Sequence, residues 1–129
     1  MNIVKLVIIA SLSIHQAAMA SDWQIIANGA GGKDSKATLL IDVDSIRRSK
    51  NLVQSAQHLK VINDPDRLVG ILYLVQSNCS NNTYLVLKNI ELYSNGDIEE
   101  SKADFLWVPT KKGSIQEAAQ KFVCETQSL

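Results

Sequence analysis

The sequence predicts an α+β fold: an antiparallel β-sheet meander of about six strands, one C-terminal helix packed on it, and one disulfide. Three observations carry this. From Trp23 to Val108, short apolar or alternating segments are separated by clusters of Asn, Asp, Gly and Pro, the pattern of strands joined by turns. Only the stretch after Gly113 repeats its apolar residues with helical spacing. The two cysteines, Cys79 and Cys124, both follow a leader-like N-terminus.

That leader has three parts. Lys5 supplies a positive charge, Leu6 to Ile14 is an apolar run, and Ala18-Met19-Ala20 places small residues just before Ser21. This layout is expected of a secretory signal peptide spanning residues 1–20, cleaved between Ala20 and Ser21 to leave a domain over 21–129. A spanning helix needs roughly 20 apolar residues, and this run stops at about half that, before His15 and Gln16. Ser21 stands where a bacterial lipoprotein would carry its lipid-bearing cysteine. No later apolar stretch is long enough to cross a bilayer. The expectation is therefore a periplasmic or secreted protein with no transmembrane segment.

Within the domain, Trp23–Ala27 reads as a first strand ended by Asn28-Gly29-Ala30-Gly31-Gly32. Ala37–Asp42 reads as a second that runs into a turn at Asp44-Ser45, and Leu52–Ile62 as a long third. Asn63-Asp64-Pro65-Asp66 breaks the third, because Pro fixes φ while Asn and Asp favour turns. Leu68–Gln76 is the fourth and most apolar strand, apolar in successive residues, which predicts a central strand covered on both faces. Tyr84–Tyr93 is the fifth. Asn95-Gly96 then gives the strongest hairpin signal in the chain, since both residues accept φ > 0. Ile98–Ser101 returns as a short edge strand, and Phe105–Val108 is a further apolar segment stopped by Pro109.

The helix start is marked by Ser114 at the N-cap and Glu117 three residues on, a capping box. Ile115, Ala118, Ala119, Phe122 and Val123 then form one apolar face, which must lie on the sheet to be buried. Cys124 ends that helix. Export favours a bond from it to Cys79, closing a loop of about 45 residues and contributing roughly 4 kcal/mol in the chain-entropy model. Two buried free thiols or a catalytic thiol are the alternatives, the last needing a base that neither cysteine has nearby in sequence.

The chemistry available is thin. Asn28 to Lys33 is rich in glycine but has Ala27 where a phosphate loop needs its first glycine, and Asp34 where it needs a hydroxyl. His58 is the one histidine after the leader and lies mid-strand, with no nucleophile elbow in the chain. One histidine and two paired cysteines leave no ligand set for a transition metal, and no cofactor motif is present. Asp42 and Asp44 share a strand face if the strand continues, as acid–base carboxylates do, but they also suit a turn capped through Ser45. Arg47, Arg48 and Lys50, and separately Lys111 and Lys112, are basic clusters that could meet phosphate or sulfate groups; solvated turns are the plainer account. The chain carries thirteen basic and thirteen acidic side chains. Loss of Lys5 would leave twelve against thirteen, which argues against a nucleic-acid partner. An apolar content of 46% argues against disorder.

Trp23, then Ile41-Asp42-Val43-Asp44-Ser45-Ile46, Cys79 after the fourth strand, Trp107-Val108, Gly113-Ser114 and Val123-Cys124 form an ordered set. In that set the domain resembles the surface-adhesin protein E-like family of Gram-negative bacteria. The resemblance implies a sheet-plus-helix fold with the two cysteines bonded, adhesion to host extracellular-matrix proteins, and dimers. Lys112 stands where the family pattern has proline before Gly113-Ser114, and the lipid-bearing cysteine is missing.

The function expected from these features is an exported, non-catalytic envelope binding module, adhesin-like, acting through protein–protein contacts. The rival is a periplasmic small-molecule or peptide-binding domain, or an inhibitor of an envelope enzyme. One short helix cannot cover a sheet whose fourth strand is apolar on both sides. The N-terminal segment, the Phe105–Val108 segment or a partner must cover the rest, and a weak homodimer through sheet faces or edges is expected.

Overall fold

The computed structural model describes residues 21–30 and 35–126. The expected signal segment through Ala20 lies outside them, as does the loop segment 31–34. Six strands follow one another across a single antiparallel sheet in chain order: β1 (Trp23–Ala30), β2 (Lys36–Ser49), β3 (Leu52–Ile62), β4 (Leu68–Asn78), β5 (Thr83–Tyr93) and β6 (Ile98–Ser101). A two-residue β7 (Val108–Pro109) pairs with the start of β5, on the edge that β6 occupies farther along. The helix α1 (Ile115–Glu125) closes the chain.

Three of the hairpins have a visible local cause. Lys50 turns β2 into β3 at φ 56°, and Gly96 turns β5 into β6 at φ 95°, the left-handed region that tight hairpin turns need. Between β3 and β4, the Asp64 carboxylate accepts from the backbone N–H groups of Asp66 and Leu68 at 2.9 and 3.2 Å. The meander therefore follows from turn chemistry written residue by residue.

Two sequence expectations need correction. Asp44-Ser45 is not a turn: β2 continues to Ser49, and the register slips between Asp42 and Arg47 as a bulge. Ser45 Oγ makes the bulge tolerable, accepting from the Ala56 N–H at 2.8 Å in place of a lost ladder bond and donating to the Asp42 carbonyl at 2.6 Å. The fourth strand is not covered on both faces. Its Leu72 and Leu74 are only half-buried, because the helix packs on the other side. Smaller differences lie at element ends, where β1 runs to Ala30 and β4 to Asn78.

The core lies between α1 and β2–β3. Leu39, Ile41, Ile46 and Val53 meet Ala119 and Val123, with Ile26, Leu59, Ile115 and Phe122 around them. Ser114 caps the helix by accepting from the Glu117 N–H at 3.1 Å, while Glu117 Oε1 reaches back to the Gly113 N–H at 2.9 Å. Gly29 lets the first helical turn sit against β1: a β-carbon there would lie 2.7 Å from Ile115 Cδ1. At the far end the Cys79–Cys124 disulfide ties the helix to the turn after β4. An 11-residue helix spans about 16 Å at 1.5 Å per residue. Strands of 11 residues such as β3, β4 and β5 span about 36 Å. Much of the sheet therefore extends beyond the helix.

Candidate functional site

Residues paired across an antiparallel sheet project from the same face. The row Ile25–Leu40–His58–Leu72–Ile90 runs across β1 to β5 on the face opposite the helix. Trp23, Leu74, Leu92 and Ile98 share that face by register. Ile25 is 66% exposed, and no described element packs over the row. The result is a broad apolar surface interrupted by His58, Lys60 and Lys88, with Glu100 at its β6 edge.

His58 is placed by two neighbours. Its ring meets Trp23 edge-on, with centroids 6.1 Å apart and planes at 79°. It lies across Gly70, where a β-carbon would sit 2.7 Å from His58 Nε2. Burial and then the nearby Lys60 charge lower its pKa from the usual histidine value. This is a packed surface histidine with no serine or cysteine nucleophile facing it in the register.

A second feature is a cleft of about 690 Å³ along the flank of α1, between the helix, the Thr110–Ser114 approach and the β4–β5 turn. Asn82, Glu117, Gln120 and Lys121 give it its polar groups. Gln120 is committed to structure, since its amide donates to the carbonyls of Asn78 and Thr83 at 3.1 Å each. Glu117 is held by the helix start. Lys121 and Glu125 are left as the exposed charges of the cleft.

The basic clusters are not brought together. Arg48 reaches the end of α1, where its guanidinium donates to the Cys124 carbonyl at 2.8 Å and the Val123 carbonyl at 3.3 Å. Arg47 donates to the carbonyls of Asp44 and Ile46 at 2.8 and 2.9 Å. Both arginines thus serve the bulge and the helix terminus, while Lys50 is exposed. Lys111 and Lys112 are exposed before the opposite, N-terminal end of the helix. Asp42 is buried, its Oδ1 accepting from the N–H groups of Asp22 and Asp44, so it locks β1 to the bulge and is not free to act with Asp44.

Among the described residues no group of three His, Cys, Asp or Glu side chains could hold a metal ion. No described helix is long and apolar enough to cross a membrane. The role of Arg48 was hidden in the sequence because its partners are backbone carbonyls 75 and 76 residues away. Gly70, over which the His58 ring leans, carries no local signal either. The cleft could have been anticipated only in part, from the polar side of the helix.

Fold and surfaces together define a sheet-and-helix domain, stapled by a disulfide, that presents an open sheet face and a polar cleft. The chain belongs to the surface-adhesin protein E family, whose profile matches residues 23–125. No match was found among curated proteins or solved structures.

Proposed function

We propose that the chain is an exported envelope binding module that works through protein–protein contacts and performs no catalysis. The open sheet face carries this reading. Trp23, Ile25, Leu72, Leu74, Ile90 and Leu92 give it an aromatic anchor and an apolar centre broken by His58 and bordered by charged side chains, the make-up of a protein-recognition patch. Family membership supports an adhesin-like role at the bacterial surface. Residues 1–20 are proposed as the signal peptide, removed between Ala20 and Ser21, and the mature protein as periplasmic or released. A weak homodimer through the same face would shield it between encounters.

The test is capture of host extracellular-matrix proteins by wild type and by an Ile25→Glu/Leu72→Gln variant of unchanged melting temperature. Binding to matrix protein that falls about tenfold or more in the variant supports the reading, in line with losses at interface centres. Cell fractionation with protease shaving tests location, and light scattering tests the dimer; a strict monomer at high concentration removes it. The cleft favours the rival, a periplasmic peptide-binding or inhibitory domain. Recovery of only a periplasmic enzyme, lost on Lys121→Glu and kept in the face variant, would replace the adhesin reading with it.

A further inference from the structure

Among the described residues, Phe105-Leu106-Trp107-Val108 is an apolar segment that neither the core nor the open face absorbs. All four side chains are exposed, Phe105 by 62% and Leu106 by 66%. Scattered exposed apolar residues are ordinary, but four in succession are not.

The segment is held out from the sheet. At its start Ser101 pairs with Asn89 of β5. At its end Val108 and Pro109 pair with Tyr84 and Thr83, and the Thr110 N–H donates to the Asn82 carbonyl at 3.0 Å. Between these anchors the chain arches away from β5, leaving a cavity of about 230 Å³ lined by Val86, Asn89, Ala103 and Leu106 among others. Phe105 sits at φ 56°, a left-handed conformation that a bulky side chain seldom adopts and that tends to mark functional loops. An arch tied at both feet presents its apex without first having to be ordered.

The flanks identify what the apex meets. Lys102 precedes it and Lys111 and Lys112 follow; Asp104 is the single acid between Lys102 and Lys112. On the neighbouring β6, Glu100 is paired with Lys88 at 4.0 Å. A bilayer interface asks for this combination: a Trp and apolar side chains at headgroup depth, with lysines reaching the phosphates.

We propose that the Lys102–Lys112 loop is a membrane-contact element, seating Phe105, Leu106 and Trp107 in the interface of a bilayer that carries anionic phospholipid. Lys102, Lys111 and Lys112 meet the headgroup phosphates. The contact is peripheral and reversible.

The experiment uses protein expressed from the full chain in a Trp23→Phe background, so that Trp107 alone reports. It is mixed with vesicles of phosphatidylcholine, or of equal parts phosphatidylcholine and phosphatidylglycerol. The expected result is a blue shift of Trp107 emission and at least about tenfold stronger partitioning onto the anionic vesicles, weakened by salt. Phe105→Ser/Leu106→Ser should lower partitioning about tenfold or more. Lys111→Gln/Lys112→Gln should remove most of the anionic preference, at about fivefold per lysine. Equal partitioning of all variants would overturn the proposal. So would a blue shift that grows with protein concentration in the absence of vesicles, which would make the loop a self-association contact. A marked fall in the melting temperature of the Phe105/Leu106 variant would overturn it as well, by showing the loop to be packed.

Discussion

Two rows of side chains cross the same strands one step apart and end in opposite circumstances. Ala27–Leu39–Leu59–Ile71–Glu91 faces the helix, and Ile25–Leu40–His58–Leu72–Ile90 faces away. Leu39 is fully buried, whereas Ile25 is largely exposed. Both rows are apolar across β1 to β4 except at His58, so side-chain type alone does not decide their burial. What decides it is the single helix, long enough to cover β1 to β3 and tied in place at both ends. The first row enters the core at Leu39 and the second opens to solvent at Ile25, while the other members of both rows are half-buried.

The comparison breaks most sharply if the helix is released. Cys79→Ala/Cys124→Ala opens a loop of 45 residues and should lower stability by about 4 kcal/mol, read from urea unfolding. Solvent exposure of the side-chain methyl groups, read by NMR with a soluble paramagnetic probe, should rise at Leu39 and Leu59 and stay unchanged at Leu40 and Leu72. Equal rises on both faces would mean that the disulfide supports the sheet as a whole and not the helix alone.

Next in size is a direct contrast of the two rows. Leu39→Ala, at a fully buried site, should cost about 3 kcal/mol, since the cavity is closed by α1. Leu72→Ala, half-buried on the open face, should cost about 1 kcal/mol or less. Similar losses at the two positions would mean that the open face is covered in solution, and concentration-dependent loss at Leu72 would point to the dimer.

The sequence made the covered row legible and left the open one ambiguous. Alternation, turn residues and the Ser114–Glu117 box each act within a few residues, so strands, hairpins and helix start could be read locally. The fourth strand misled because an apolar run reports that both its faces are apolar, not that both are covered. Asp44-Ser45 misled in a related way: an Asx/Ser pair satisfies backbone groups equally well in a turn or a bulge, and only the pairing of Ser45 with Ala56 across the hairpin decides. The basic cluster at Arg47–Lys50 read as surface because a carbonyl partner leaves no trace in residue type.

That cluster supplies the third test. Arg48 is the only cation shown at the end of α1, whose last turn has no basic residue of its own. Its guanidinium satisfies carbonyls that the helix leaves open and opposes the negative end of the dipole. Arg48→Ala should cost about 1–2 kcal/mol, with Arg48→Lys recovering part of it, because an ammonium keeps the charge and loses the two-carbonyl fork. Loss of matrix binding by Arg48→Ala without loss of stability would instead return Arg48 to the surface-binding role.

The smallest effect belongs to the open row and concerns pH. Burial, then the charge of Lys60, lower the pKa of His58 in the folded protein below its ordinary value of 6.5. Between the two values the unfolded chain binds more protons than the folded one, so stability rises with pH across that window. The contribution is complete above about pH 7 and is lost as pH falls through 6.5 and then through the folded pKa. A urea midpoint that declines from pH 7 to pH 5, and declines less in His58→Gln, is the expected outcome. Lys60→Gln should move the His58 titration upward without abolishing the shift, because burial is the larger cause. A partner docked on this face would bury His58 further, and its binding should weaken as the ring gains a proton. A bound complex indifferent to pH over that range would place the partner elsewhere on the molecule.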